Sequence, residues 1–209
     1  MALSSSLNKI VEYRGVSDLV FAEVTNDDNE TGTGHGYVTG TVYALAGVAE
    51  ISKETDSSNE AHYYDNMPAV IVSNTAADVL TISASAIPLE VMAEITGQTY
   101  VSAKGAYIEG QRVPKYFALG YRTKQTDGTE IFVWRYKGSF NVPGEDNVTE
   151  NAGTDANGQQ IVYTGISTTH KFTAASNKGA KAMYVDTSVN TSLTAATFFG
   201  TVTTPDNLS

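Results

Sequence analysis

The histidines and carboxylates of this chain are its residues best suited to chemistry, and their spacing argues against a metal site. His35, His62 and His170 are scattered, and none forms a paired spacing of the H-E-x-x-H kind. Residues 27–32 read Asp-Asp-Asn-Glu-Thr-Gly and offer oxygen ligands and a glycine, like the start of a calcium loop. The position at which such a loop needs a bidentate Glu is Val38, so a solvated turn is the favoured interpretation and no metal is predicted.

Motifs for nucleotide binding and covalent catalysis are equally weak. The glycines of residues 32–36 resemble a phosphate-binding loop in composition only, because their spacing differs and a strand is expected to follow them. The sequence holds no Cys, no G-x-S-x-G and no P-loop, so the usual nucleophiles have no motif. The pair Glu145-Asp146 could serve acid/base catalysis as in glycosidases, but its Gly/Pro-rich surroundings are typical of surface charge. The sequence predicts no cofactor and no enzyme.

The composition favours one folded domain without a basic surface. The chain has 209 residues, of which 41% are hydrophobic and 17% charged, and its formal net charge is -10. Charge of this sign disfavours tight phosphate binding, and it suits a surface past which DNA must slide. Without cysteine there is no disulfide framework and no thiolate metal site. No stretch has the length of a membrane span and residues 1–6 lack the basic start of a signal peptide, which predicts a soluble product made in the cytoplasm.

Short alternations of Thr, Val, Ile and Tyr, separated by turn residues, predict a mainly β chain. The best hairpin joins residues 116–123 to residues 131–136 through the turn at 126–128, because Asp-Gly accepts the backbone angles of a tight turn. Trp134 lies in the second of these strands, where alternation favours core packing. Strands are predicted at residues 19–25, 38–43, 48–55, 69–73, 79–83, 115–123, 130–136, 161–164, 168–174 and 181–186.

One helix is predicted at about residues 88–96, flanking the sheet. Pro88 suits its first position and Gly97 suits its end. The helix is expected to pack on the sheet through its apolar residues and to turn its acids to water. The apolar residues are Leu89, Val91, Met92, Ala93 and Ile95, and the acids are Glu90 and Glu94.

Three segments stand apart from the rest of the chain, and residues 98–114 among them lose its periodicity. Residues 98–114 predict a long loop or irregular hairpin, and loops of this length are often interaction elements. Residues 1–15 are expected to form an N-terminal arm, and residues 187–209 a C-terminal segment or arm. The β domain is then expected to span residues 16–186.

The stretch from residue 61 to residue 138 carries a particular order of features. E-A-H-Y-Y-D-N-M-P at residues 60–68 precedes a hydrophobic strand pair, and I-P-L-E-V at residues 87–91 opens the helix. After the loop come V-P-K-Y-F-A-L-G-Y-R at residues 113–122, the Asp-Gly turn and F-V-W-R-Y-K-G-S-F at residues 132–140. This order resembles the major tail proteins of long, non-contractile-tailed phages of Gram-positive hosts. Looser similarity continues through residues 150–165 and 181–186, but the two ends and residues 98–114 match only in position.

The resemblance implies a β-sandwich or barrel-like subunit with a helix on its flank, similar to type VI secretion tube proteins. Such subunits form stacked rings, expected to be hexameric, around a tape measure protein and act as a conduit for genome ejection. The implied partners are other copies of the chain, the tape measure protein, and tail terminator and distal tail proteins, with DNA only as passing cargo. The implied location is the virion tail, assembled in the host cytoplasm.

Within this hypothesis, strands of neighbouring copies line an acidic tube, and the loop at residues 98–114 bridges successive rings together with the terminal arms. No residue is assigned to the lumen. The candidate residues for the contact between rings are Thr99, Tyr100, Lys104, Tyr107 and Arg112.

Three other functions fit parts of the pattern. A carbohydrate-binding β-sandwich is suggested by the abundant Tyr and by Trp134, because exposed aromatic rings can stack on sugars. A glycosidase is suggested only by the acidic loops. A tube subunit of a phage-like bacteriocin or ejection particle would carry the same sequence features as a phage tail protein, and the sequence does not separate the two.

Overall fold

The computed structural model describes residues 10–64, 66–144 and 158–208, and within them the chain is mainly β. This confirms the fold class expected from the alternating sequence. The elements are β1 (Tyr13–Asp27), β2 (Tyr37–Thr39), β3 (Tyr43–Ala44), β4 (Val48–Tyr64), β5 (Met67–Ala84), α1 (Leu89–Thr96), β6 (Thr99–Val101), β7 (Ala106–Ile108), β8 (Phe117–Gln125), β9 (Glu130–Phe140), β10 (Gln159–Ile166), β11 (Ala182–Asp186) and α2 (Ala195–Gly200).

A large antiparallel sheet contains most of these strands. Its path runs β2-β1-β8-β9-β10-β5-β4, with β3 paired to β1 and β11 paired to β9. Strand β9 pairs with β8 on one edge, and on the other edge it pairs first with β11 and then with β10. The separate pair β6-β7 lies beside α1.

The sheet buries side chains on both of its faces. Along β8, Phe117, Leu119 and Tyr121 belong to one core while Ala118 belongs to the other, as the two-residue period of a strand requires. The first core lies between β1, β8 and β9 on one side and β5, β10 and α1 on the other, so the sheet bends over itself like a sandwich. The second core lies under the C-terminal part of the chain.

Helix α1 forms where it was predicted, but it turns a different face inward. Pro88 precedes the helix in an extended conformation, and Gly97 ends it in the left-handed region with φ 66°. Met92, Ala93 and Ile95 are buried as expected. Leu89 is 47% exposed, which corrects its predicted place on the packed face. The helix buries Thr96 instead, whose hydroxyl donates a hydrogen bond to the carbonyl of Met92 at 2.6 Å.

The C-terminal segment completes the second core. Helix α2 was not predicted; Thr194 caps its N-terminus, where the backbone N–H of Thr197 donates to the Thr194 hydroxyl. Phe198 and Val202 are buried, and Phe198 packs against Trp134. The part of the segment from Leu193 to Val202 therefore packs on one face of the sheet. At the other end, strand β1 already begins at Tyr13, within the expected N-terminal arm, of which residues 1–9 lie outside the described residues.

Strand pairing corrects several predicted boundaries. The predicted strands at residues 69–73 and 79–83 are parts of one long strand, β5, and the strand predicted at 48–55 extends to Tyr64. The hairpin β8-β9 and its turn are confirmed, with Gly128 at φ 90°. The strand predicted at 38–43 is interrupted at Gly40, whose N–H donates to the carbonyl of Glu23.

Residues 168–174 do not form the predicted strand. The backbone N–H groups of Thr169 and His170 donate to the carboxylate of Asp27, and those of Thr173 and Ala174 donate to Asp206. These donors are therefore satisfied by side chains and not by a strand ladder.

Candidate assembly surfaces

A hairpin projects from the sheet where β4 and β5 extend beyond β10. Strand β5 pairs with β10 from Ala84 to Asp78, and beyond Asp78 its described pairing is with β4 alone. The pairing continues from Ser57 opposite Thr75 to Tyr64 opposite Met67, so this arm is roughly 25 Å long. We call residues 57–75 the projecting hairpin.

The outer part of the projecting hairpin is apolar and open to solvent. The described side chains include five large hydrophobic groups that are at least half exposed, namely Tyr63, Tyr64, Met67, Val70 and Ile71. Ile71 is 68% exposed and lies opposite Ala61, whereas Leu80 of the same strand is fully buried. Exposed apolar patches of this kind mark interaction sites or sites of aggregation.

A buried ionic network lies at the base of the projecting hairpin. The guanidinium of Arg135, which is 1% exposed, donates to Asp78 at 2.8 Å and to the hydroxyl of Tyr184 at 2.7 Å. Asp78 also accepts a hydrogen bond from the Thr55 hydroxyl at 3.0 Å. Burial raises the pKa of Asp78, but the hydrogen bonds from Thr55 and Arg135 and the charges of Lys53 and Arg135 outweigh it and hold its pKa below the usual range. The network fixes the two strands at the point where they leave the sheet.

The acidic turn after β1 is organised by its own backbone. Asp28 accepts hydrogen bonds from the backbone N–H groups of Glu30 and Gly36 and from the Asn26 amide, and these bonds hold its pKa well below the usual range. Asp28, Glu30 and His35 place their ligand atoms within 4.8 Å of one another. The Asp28 carboxylate already serves the turn, so this cluster is explained by loop structure.

Residues 98–114 form an irregular hairpin packed against α1, one of the two forms predicted for them. Strands β6 and β7 flank a 3-10 turn at Ser102–Lys104, which Gly105 closes at φ 60°. Thr99 and Lys104 are exposed, and Tyr100 is half-buried beside α1. These three predicted contact residues are accessible to another molecule.

The other two predicted contact residues serve the subunit itself. Arg112 donates from Nε to the carbonyl of Thr96 at 2.8 Å and from a terminal nitrogen to the carbonyl of Phe140 at 2.9 Å. Tyr107 packs against the first core. Both residues join the irregular hairpin to the domain.

A cavity of about 780 Å³ lies beside α1. Its walls come from β1, from residues 40–44, from α1 and from β6. Glu90 and Glu94 line it, and Tyr100 is the predicted contact residue that the structure brings to it. Lys115 crosses from Glu94 at 2.7 Å to Glu23 at 3.3 Å and joins the helix to β1. We call this space the α1 cavity.

Trp134 is not available to stack on a ligand. It is fully buried, and its indole N–H donates to the carbonyl of Phe198 at 3.0 Å. The carbohydrate-binding hypothesis loses the residue that suggested it most. The acids Glu145 and Asp146, which suggested a glycosidase, lie outside the described residues.

In comparisons with known proteins, no protein-family model matched this sequence, and no curated protein was similar to it. Neither helix in the described part of the chain is long and apolar enough to cross a membrane.

Proposed function

We propose that this chain is a structural subunit that assembles with copies of itself into a tube of the phage tail-tube kind, through which DNA passes. The projecting hairpin is the observation that carries the proposal. It is a long pair of strands, and the large apolar side chains described near its tip are at least half exposed. A neighbouring copy is the partner that a repeating subunit always has available.

Energetics explain why such a hairpin needs a partner. An isolated two-stranded hairpin is marginally stable in water at best, and this one leaves the sheet after the Asp78 network. Burying one large apolar side chain contributes about 1.5–3 kcal/mol. Covering even two or three of the exposed groups in each contact would therefore support repeated association.

Unpaired strand edges also favour association between copies of the chain. Within the described residues, β4 pairs with β5 on one edge, and no strand is hydrogen-bonded to its other edge. The first residues of β1 pair with β8, and no described strand pairs with their other edge before Val20, which lies opposite Ala44 of β3. Natural monomers blunt or cover such edges, whereas assemblies use them for pairing between chains.

Charge supports the role of a conduit. The formal net charge of -10 gives the chain little capacity to hold a phosphate backbone. A tube lined by such subunits repels DNA weakly at short range and offers few cationic contacts that would arrest it. The resemblance of residues 61–138 to major tail proteins supplies the specific form of the assembly, which is stacked rings around a tape measure protein.

Electron microscopy of the purified full chain at increasing protein and salt concentrations tests the proposal. We expect the unmodified protein to form tubes, with added salt helping because it screens the repulsion between acidic copies. The variant Tyr64→Ser/Met67→Ser should keep its fold, because both side chains are exposed, and it should stay dispersed.

Val189→Ser is the matched control, because Val189 is also exposed but lies far along the chain from the projecting hairpin. It should assemble like the unmodified protein. Unmodified protein that forms neither rings nor filaments under any of these conditions would contradict the proposal. Normal tubes from the Tyr64→Ser/Met67→Ser variant would show that the projecting hairpin is not the assembling surface.

A further inference from the structure

The projecting hairpin and the α1 cavity lie at opposite ends of the subunit. Residues 13–16 of β1 face residues 49–53 of β4 across one crevice, and residues 16–20 face residues 44–48 across the next. The two segments therefore run antiparallel. Moving further along β1 leads to the α1 cavity, whereas moving further along β4 leads to the tip of the hairpin.

The α1 cavity is rich in hydrogen-bond acceptors. The carboxylates of Glu90 and Glu94 line it, and Gln98 joins them from the end of the helix. The side-chain oxygen Oε1 of Gln98 is buried and has no hydrogen-bond partner among the described residues. A buried acceptor without a partner carries a free-energy cost that an incoming donor would remove. Phe21 and Val91 add apolar wall between these polar groups.

The tip of the projecting hairpin has the complementary chemistry. Tyr63 and Tyr64 each carry an aromatic ring and a hydroxyl donor, and Asn66 at the turn carries an amide donor. Met67 adds a flexible apolar side chain. All four side chains are exposed, so most of their surface is accessible to another copy.

We infer that the α1 cavity of one copy receives the tip of the projecting hairpin of the next copy. Aromatic rings then fill the cavity, and tyrosine or asparagine donors meet Gln98 and the two glutamates. The inference rests on the proposed self-assembly and specifies its partner surface. Because tip and cavity are different surfaces at opposite ends, the contact is head-to-tail. We assign it to growth along the tube axis, which requires that the rotation between docked copies does not close a ring.

Disulfide trapping tests the contact directly, because the chain contains no native cysteine. Met67→Cys places a thiol on the tip, and Ser102→Cys places one on the rim of the cavity. Tubes of the double variant are assembled under reducing conditions, checked by microscopy, oxidised mildly and separated by denaturing electrophoresis. A disulfide requires the two Cα atoms to come within about 7 Å, so only copies docked as inferred will cross-link.

The expected result is a ladder of covalent multimers from the double variant. Equal mixtures of the two single variants should give dimers joining unlike variants at about tenfold or more the yield of the control pair Met67→Cys and Val189→Cys, because docking raises the effective concentration of the two thiols. Tubes without this cross-link would overturn the inference and leave the proposed function intact. Failure of unmodified and variant protein alike to assemble would instead contradict the proposed function.

Discussion

Strands β4 and β5 contain two regions of similar sequence with opposite surroundings. Within the sheet, Leu80 and Ile82 are fully buried in the first core. In the projecting hairpin, Val70 and Ile71 are also aliphatic and lie in the same β4-β5 ladder, but they are exposed. Hydrophobic content alone therefore does not distinguish a strand of the core from one that is exposed on the subunit. The Asp78 network lies at the boundary between the two regions.

Removing the carboxylate at this boundary should have the largest effect. Asp78→Ala leaves Arg135 buried without its ionic partner, and breaking a buried pair in this way costs about 3–5 kcal/mol. The free energy of unfolding, measured by urea denaturation, should fall by that amount. Glu54→Ala is the matched control, because Glu54 is an exposed residue next to Thr55 on β4. The free energy of unfolding of this variant should be unchanged. An equal loss of unfolding free energy in the two variants would contradict the structural role assigned to Asp78.

Two truncations in β5 compare the regions themselves. Leu80→Ala opens a cavity in the first core and should lower the free energy of unfolding by about 2–5 kcal/mol. Ile71→Ala should cost less than about 1 kcal/mol in the dispersed protein, because its side chain is already exposed. Both values come from the same urea denaturation assay. A loss at Ile71 as large as that at Leu80 would show that the projecting hairpin is covered within its own subunit.

Lowering the pH should reduce the stability of the folded protein gradually. The pKa values of Asp78 and Asp27 are lowered in the folded protein, each by hydrogen bonds and a nearby cation that outweigh burial. Their stabilisation is complete above the unfolded pKa of about 3.9 and is lost as the pH falls through the lower folded values. The free energy of unfolding should therefore decline below about pH 4. In Asp78→Asn the decline should be shallower, and an unchanged slope would contradict the role assigned to Asp78.

Local signals in the sequence carried much of the fold. Gly128 in the turn of β8-β9 and Gly97 at the end of α1 act through their own backbone angles, which neighbouring residues suffice to reveal. The alternation predicted the strands of β8 and β9 as half-buried, but it did not predict that both of their faces are buried. Helix α2 was not predicted because it has only six residues. Its N-terminus is capped by Thr194 and Thr197, without the Glu or Gln that usually marks a capping box.

Long-range partners account for what the sequence did not reveal. Arg135 is buried because Asp78, distant in sequence, reaches it, and the segment at 168–174 is a set of turns because Asp27 and Asp206 take its backbone donors. The same limit applies to the assembly surfaces. Of the predicted contact residues, Tyr100 lines the α1 cavity, whereas Arg112 is used internally. The projecting hairpin was missed because residues 57–66 are mostly polar, so that no strand was predicted there, and residues 69–73 were predicted as a separate strand of the sheet.

The opposite placement of the projecting hairpin and the α1 cavity has a consequence for how growth starts and stops. A row of docked subunits would present a fringe of tyrosines at one terminus and a set of empty acceptor-lined sockets at the other. A protein shaped to seed the first terminus would not fit the second. Initiation and length control would then need two unrelated molecules, one with a cavity that receives the tyrosines and the other with a segment that fills the empty cavities.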